Sequence, residues 1–191
     1  MGLDMYLNKV RKVDKNATLK QINAVNDYFG WRERGDKYRG YSMKKWCGVD
    51  ISEVDMELVK KYKDEYIHRY AAWGPDYEYS FRSVYQEIAY WRKANQIHSW
   101  FVENVQNGVD DCGSYEVTKE RLEELLELCE AVKEKPKLAH KLLPTQSGFF
   151  FGSTEYDEWY MQGIDNTIKQ LKKVLKETDF DNWIVFYTAS W

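Results

Sequence analysis

Four stretches of this chain hold residue types that bind or transform other molecules. In the first, Arg92, Asn95 and His98 fall three residues apart. Asn95 and His98 continue an apolar row of Val84, Ile88 and Trp91 that closes on Val102. Steps of four, three, four, three and four put that row on one face of a helix. An amide and an imidazole on such a face need partners, because a buried polar group left unsatisfied costs about 1–3 kcal/mol. Either the protein supplies them, as a network that fixes helix packing, or a ligand does.

The second stretch runs from Gln146-Ser147-Gly148 to Gly152-Ser153-Thr154. Small residues, hydroxyls and an expected helix start at Thr154 would present backbone N–H groups to a phosphate or carboxylate. Tyr156 and Trp159 follow and could stack on a base. No lysine follows the second glycine, so this is not a Walker A loop. A strand, a tight turn and a capped helix would give the same residues with no ligand.

The third is the segment 30–48. Its six basic residues, Arg32, Arg34, Lys37, Arg39, Lys44 and Lys45, face only Glu33 and Asp36, with Trp31, Tyr38, Tyr41 and Trp46 between them. Arginine binds phosphate bidentately and the aromatic rings can stack. Four glycines predict an irregular loop or short hairpin, either a solvated surface or a lid over an anion, with Arg32 and Arg39 as clamps. The fourth stretch, Asp110-Asp111-Cys112, offers two carboxylates and a thiol. The chain's three histidines, His68, His98 and His140, show no metal-ligand spacing, so a turn with capping acids is the simpler reading.

The elements that must position these residues follow from periodicity. Alternation in Leu3, Met5 and Leu7 predicts a half-buried strand. Thr18 caps a helix to about Phe29, and a second helix runs from Asp50 or Ser52 to about Tyr70. Gly74-Pro75 is a turn, and the longest helix spans Ser80 to about Val105. Thr118 opens a helix with Leu122, Leu125, Leu126, Cys129 and Val132 inside and six glutamates outside. A short helix begins at Pro136, and Phe149–Phe151 suggest a short buried strand. A last helix reaches about Glu177, and the closing DNWIVFYTASW is a strand by propensity, around residues 183–189. The whole predicts an α+β fold: one helix-dominated domain over residues 1–191, with a small sheet that includes both end strands.

Composition narrows the setting. The 191 residues are 43% apolar and 16% aromatic, enough to bury a core. A net charge of −3 gives no general argument for nucleic acid or an anionic membrane. No apolar run approaches a membrane span. Cys47, Cys112 and Cys129 lack CxxC spacing, which suits reduced thiols in a cytosol.

The opening MGLDMYL, the run WRKANQIHSWFVENVQNGVDDCGSYEV and the stretch LLPTQSGFFFGSTEYDEWY together resemble a family of small proteins encoded by bacteriophages and prophages. The resemblance covers the whole chain. It implies a context, the cytosol of an infected bacterium, and carries over no activity, cofactor or catalytic residue. Small phage proteins of that kind often disarm host defence.

The expectation drawn from all this is a binding protein for a small anionic ligand, a nucleotide by class, acting as a sponge for a host signal. Its ligand residues would be Arg32, Arg39, Arg92, Asn95, His98, Gln146, Ser147, Ser153, Thr154, Tyr156 and Trp159, with no cofactor. A host protein bound through the acidic helix, or a nucleotide-processing enzyme using His98, Asp110 or Asp111, are the alternatives. A second copy of the chain is a further partner open to test.

Overall fold

The computed structural model describes residues 2–72 and 78–191; the turn expected at Gly74-Pro75 lies outside them. In chain order the elements are β1 (Asp4–Arg11), α1 (Leu19–Gly30), a π-helical segment (Trp31–Asp36), α2 (Lys37–Arg39), α3 (Met43–Cys47), α4 (Met56–Tyr62), β2 (Ile67–Ala72), β3 (Glu78–Ser83), β4 (Gln86–Arg92), α5 (Asn95–Asn104), β5 (Tyr115–Glu116), α6 (Lys119–Glu134), α7 (Ala139–Leu142), α8 (Glu158–Glu177) and β6 (Trp183–Ser190). The fold is α+β and dominated by helices. Its four-stranded sheet runs β4-β1-β6-β5, so the strands at the two ends of the sequence are neighbours. The chain divides into two compact units, Met1–Lys9 with Glu87–Trp191, and Val10–Gln86.

In the larger unit, α6 and α8 pack on each other: Leu122, Leu125, Cys129 and Val132, from the stripe read in the sequence, and Ile164, Ile168, Leu171 and Val174 of α8 are all buried. Burial pushes the Cys129 thiol up to about 12, so it stays protonated as part of this core. Thr118 caps α6 through the Arg121 N–H. Helix α5 is buried on nearly every side, from Asn95 to Val102, and Phe101 stacks on Tyr187 of β6 at 4.0 Å.

The smaller unit opens with a capping box, Thr18 and Gln21 each bonding the other's backbone N–H. From α1 the backbone stays helical through the π-segment to Arg39, and Gly40 ends it at φ 59°. Gly35 lies between two indoles. A Cβ there would sit 2.8 Å from Trp31 Cδ1 and 2.9 Å from Trp46 Cδ2, so glycine lets the rings close on the helix. Strands β2 and β3 form an antiparallel hairpin pairing Ile67 with Ser83.

Several expectations are corrected. Residues 80–105 are not one helix: β3, a bend and β4 come first, and only α5 is helical. The helix expected to reach Tyr70 stops at Tyr62, a 3-10 turn follows, and β2 begins at Ile67. Segment 30–48 is largely helical rather than an irregular loop. Phe149–Phe151 form a turn in which Phe151 is buried and Phe149 is 95% exposed. The last helix starts at Glu158, and Asp157, not Thr154, caps it by accepting the Tyr160 N–H.

Candidate functional site

Asn95 and His98 are buried, at 2% and 0% exposure. They enter the core from the first turn of α5 rather than from a long helical stripe. The Asn95 amide donates to the carbonyls of Phe151 (3.1 Å) and Ser153 (2.8 Å), and its oxygen accepts from the Gln146 N–H at 3.1 Å. One carboxamide thus fastens the turn 146–153 onto α5. His98 lies between the Tyr187 hydroxyl, 2.7 Å from Nδ1, and Asp110 Oδ1, 3.0 Å from Nε2. Gln146 Nε2 reaches the other Asp110 oxygen at 3.3 Å.

Elementary chemistry assigns the protons in this chain. Burial lowers the His98 pKa below 6.5, against the opposing pull of Asp110, so the ring is neutral at pH 7. A carboxylate can only accept, so Nε2–H donates to Asp110. Nδ1 then accepts from Tyr187, whose hydroxyl burial holds well above its ordinary pKa and therefore protonated. His98 and Tyr187 are sealed from solvent beneath Phe151 and Trp191. Asp110 alone of the three reaches the surface, with 27% of its side chain exposed. With its imidazole walled off, the array ties loop 105–113 to α5 and β6.

This burial has a pH signature. The unfolded chain gains a proton at His98 as pH falls through about 6.5, while the folded protein resists it. Stability from this group is complete above that pH and is lost on acidification, by at most about 1.4 kcal/mol per pH unit. Urea unfolding at pH 7.5 and pH 5 should show the loss. His98→Gln should flatten the slope while lowering stability at pH 7.5; an unchanged slope would assign the acid loss to other groups.

The remaining residues of the larger unit are placed as follows. Arg92 lies at the end of β4 and points its Nε toward Asp4 at 3.9 Å. Ser147 is exposed. Ser153 caps the Glu155 N–H, and the Thr154 carbonyl accepts from Thr145 Oγ1 at 3.0 Å. Tyr156 and Trp159 are 45% and 77% exposed. A hollow of about 630 Å³ beside the start of α8 is lined by Tyr156, Asp157, Glu158, Met161, Gln162 and Asp165. Three carboxylates there disfavour the phosphate that the sequence suggested for this helix start. The outer acids of α6 are partly neutralised: Glu123 pairs with Lys119, Glu124 with Arg121 and Glu130 with Lys172.

The smaller unit holds a different constellation. A shallow cleft of about 710 Å³ is lined by Phe29, Arg32, Glu33, Lys37, Lys63, Asp64, Tyr66, Ile67 and Arg82. Four cations there meet two carboxylates. The π-segment brings Arg32 and Glu33 to this wall, and π-helical turns recur at functional sites. Arg82 is held in place: its Nη2 donates to the Tyr66 carbonyl at 3.0 Å and its guanidinium lies 4.8 Å over the Tyr66 ring. Phe29 stacks on Tyr66 at 4.8 Å. Arg32 bonds Asp36 and stands 5.5 Å over Trp31, whereas Lys63 makes no ion pair among the described residues. Arg39 lies outside the lining, 5.9 Å from the Trp46 ring.

No family model, curated protein or solved structure matches this chain. Among the described residues, no group of three or more His, Cys, Asp or Glu side chains is arranged to hold a metal, and no helix is long and apolar enough to cross a membrane.

Of the residues singled out in the sequence, the structure brings buried Asn95 and His98, half-buried Gln146 and the carbonyl of exposed Ser153 into one hydrogen-bonded array, and puts Arg32 in the cleft. Sequence reasoning missed Tyr187, Lys63, Tyr66 and Arg82. The last three stand within or beside β2 and β3, in runs read as helix. The aromatic and β-branched residues around them, Ile67, Tyr70, Phe81 and Val84, were the signal for strands.

Proposed function

We propose that this protein binds a small anionic ligand, a nucleotide by class, in the cleft lined by Arg32, Lys37, Lys63 and Arg82. The observation that carries the reading is the charge of that lining: four cations against Glu33 and Asp64 in one concavity, with an excess of two positive charges. Its volume is in the range of small-molecule sites. Arg82 is pre-organised by Tyr66, which lowers the ordering cost of gripping an anion. Half-buried Phe29 and the 46%-exposed Ile67 offer an apolar wall for a planar ring. In an infected bacterial cytosol, the setting that the phage resemblance implies, such a protein would sequester a host nucleotide signal.

Calorimetric titration of the purified chain with nucleoside monophosphates and inorganic phosphate tests this. Affinity should fall markedly between about 0.05 M and about 0.3 M salt, because the cations sit at a solvent-exposed wall. The nucleotide should be recovered intact after denaturation. No heat of binding and no rise in melting temperature at millimolar nucleotide would refute the proposal, and recovery of an altered nucleotide would favour an enzyme.

A further inference from the structure

We infer that the cleft selects a guanine nucleotide, with the Glu33 carboxylate reading the base; this rests on the anion-binding reading of the same cleft. Glu33 is the odd member of a cationic lining. A carboxylate facing a phosphate site works against the phosphate by like-charge repulsion. It is nonetheless built in with care. The Tyr66 hydroxyl donates to Oε2 at 2.7 Å, and Arg82 Nη1 approaches Oε1 at 3.5 Å. These contacts fix the plane of the group, and they lower its pKa, so it stays ionised and can only accept. Asp64, the other carboxylate of the lining, is exposed and has no hydrogen bond among the described residues.

A fixed carboxylate has two oxygens to offer to paired donors. Oε1, held among the described residues only by the long contact to Arg82, has acceptor capacity to spare, and Oε2 has a second lone pair beside the Tyr66 bond. Among the common bases, guanine presents two adjacent donors, N1–H and the N2 amine. Adenine and cytosine place a ring nitrogen acceptor beside their amine, so one arm of the pair would be repelled. Uracil has a single N–H between two carbonyls. Cationic groups that could also bridge a carboxylate, such as a guanidinium, are opposed by Arg32, Lys37, Lys63 and Arg82 around it. An anion carrying paired N–H donors satisfies both signs of the lining at once.

The test is calorimetry with GMP, IMP and AMP, which share the phosphate and differ at the base edge. GMP should bind at least about tenfold tighter than AMP, with IMP between them because hypoxanthine keeps N1–H and lacks the amine. Glu33→Gln should bring GMP and AMP to within about twofold of each other by removing the double acceptor, while AMP binds as tightly as before or tighter. A melting curve beside each titration checks that the fold survives, and the wild-type ranking decides the matter even where it does not. Equal binding of all three nucleotides overturns guanine selection and leaves the anion site standing. A preference for GMP that persists in Glu33→Gln overturns the role of Glu33. If none of the three binds, the cleft reading itself fails and this inference with it.

Discussion

Asn95→Ala should destabilise the protein by about 3–5 kcal/mol, among the largest effects of any single polar substitution in the chain. The side chain is 2% exposed and satisfies three backbone groups at once: the Gln146 N–H and the carbonyls of Phe151 and Ser153. Alanine leaves all three without their partner and opens space that water would have to enter. Each group stranded away from solvent costs about 1–3 kcal/mol. Asn95→Asp should do no better: it turns the donor that serves two carbonyls into an acceptor facing them and buries a charge. Urea unfolding of the three proteins gives the comparison. A loss below about 1 kcal/mol for the alanine variant would mean that the turn 146–153 holds without this anchor.

The second large effect concerns binding. Reversing two cleft charges, Arg32→Glu with Lys63→Glu, should weaken nucleotide affinity by about 100-fold or more. Each reversal replaces an attraction of about 1 kcal/mol with a repulsion of similar size, even at the dielectric constant of water. Two reversals therefore remove about 4 kcal/mol, where 1.4 kcal/mol is tenfold in affinity. The fold should survive. Lys63 is exposed and makes no ion pair among the described residues, and the worst that Arg32→Glu introduces is repulsion from Asp36 one helical turn away, worth a few tenths of a kcal/mol. The matched control is Arg39→Glu with Lys44→Glu, on exposed residues that lie outside the cleft lining. It makes the same change in net charge and should shift affinity by no more than about threefold at moderate salt. Equal losses in both pairs would show a diffuse electrostatic surface in place of a site.

How much of this was legible in the sequence depends on the range of the interaction that decides each element. Thr18, Thr118 and the leucine stripe of α6 act within one or two helical turns, and they were read correctly. The two end strands were recognisable from alternation and from aromatic content, and their pairing followed from the need of short strands for partners. The error at Ser80–Val105 has a definite origin. Val84, Ile88 and Trp91 match a helical period by coincidence, and the run that contains them is rich in tyrosine, tryptophan and isoleucine, residues that suit a pleated half-buried surface. Burial of Asn95 and His98 was therefore anticipated from a stripe that does not exist; the true cause is an α5 enclosed on nearly all sides. Four glycines suggested an irregular segment 30–48, yet Gly35 serves there to admit two indoles against a helix. The cleft was half visible. Arg32 stood out as part of a basic run, but Tyr66 and Arg82 reach it from a hairpin, and no local pattern announces which distant residues such a hairpin will bring alongside.

The position of β6 between β1 and β5 bears on how the protein comes into being. Strand β1 is made before its sheet neighbour β6, and helices α1 to α8 are made between the two. Until β6 is made, the β1 edge that β6 will occupy has no strand to pair with, beside the apolar side chains of Leu3, Met5 and Leu7. An unpaired apolar edge is a template for joining the strands of other nascent chains. Such a long-range closure also slows folding, because the intervening loop entropy is lost before the pairing rewards it. Translation stalled before Trp183 would therefore release aggregation-prone chains, and a burst of synthesis from a strong promoter would favour inclusion bodies over native protein unless elongation is slow or a chaperone guards that edge.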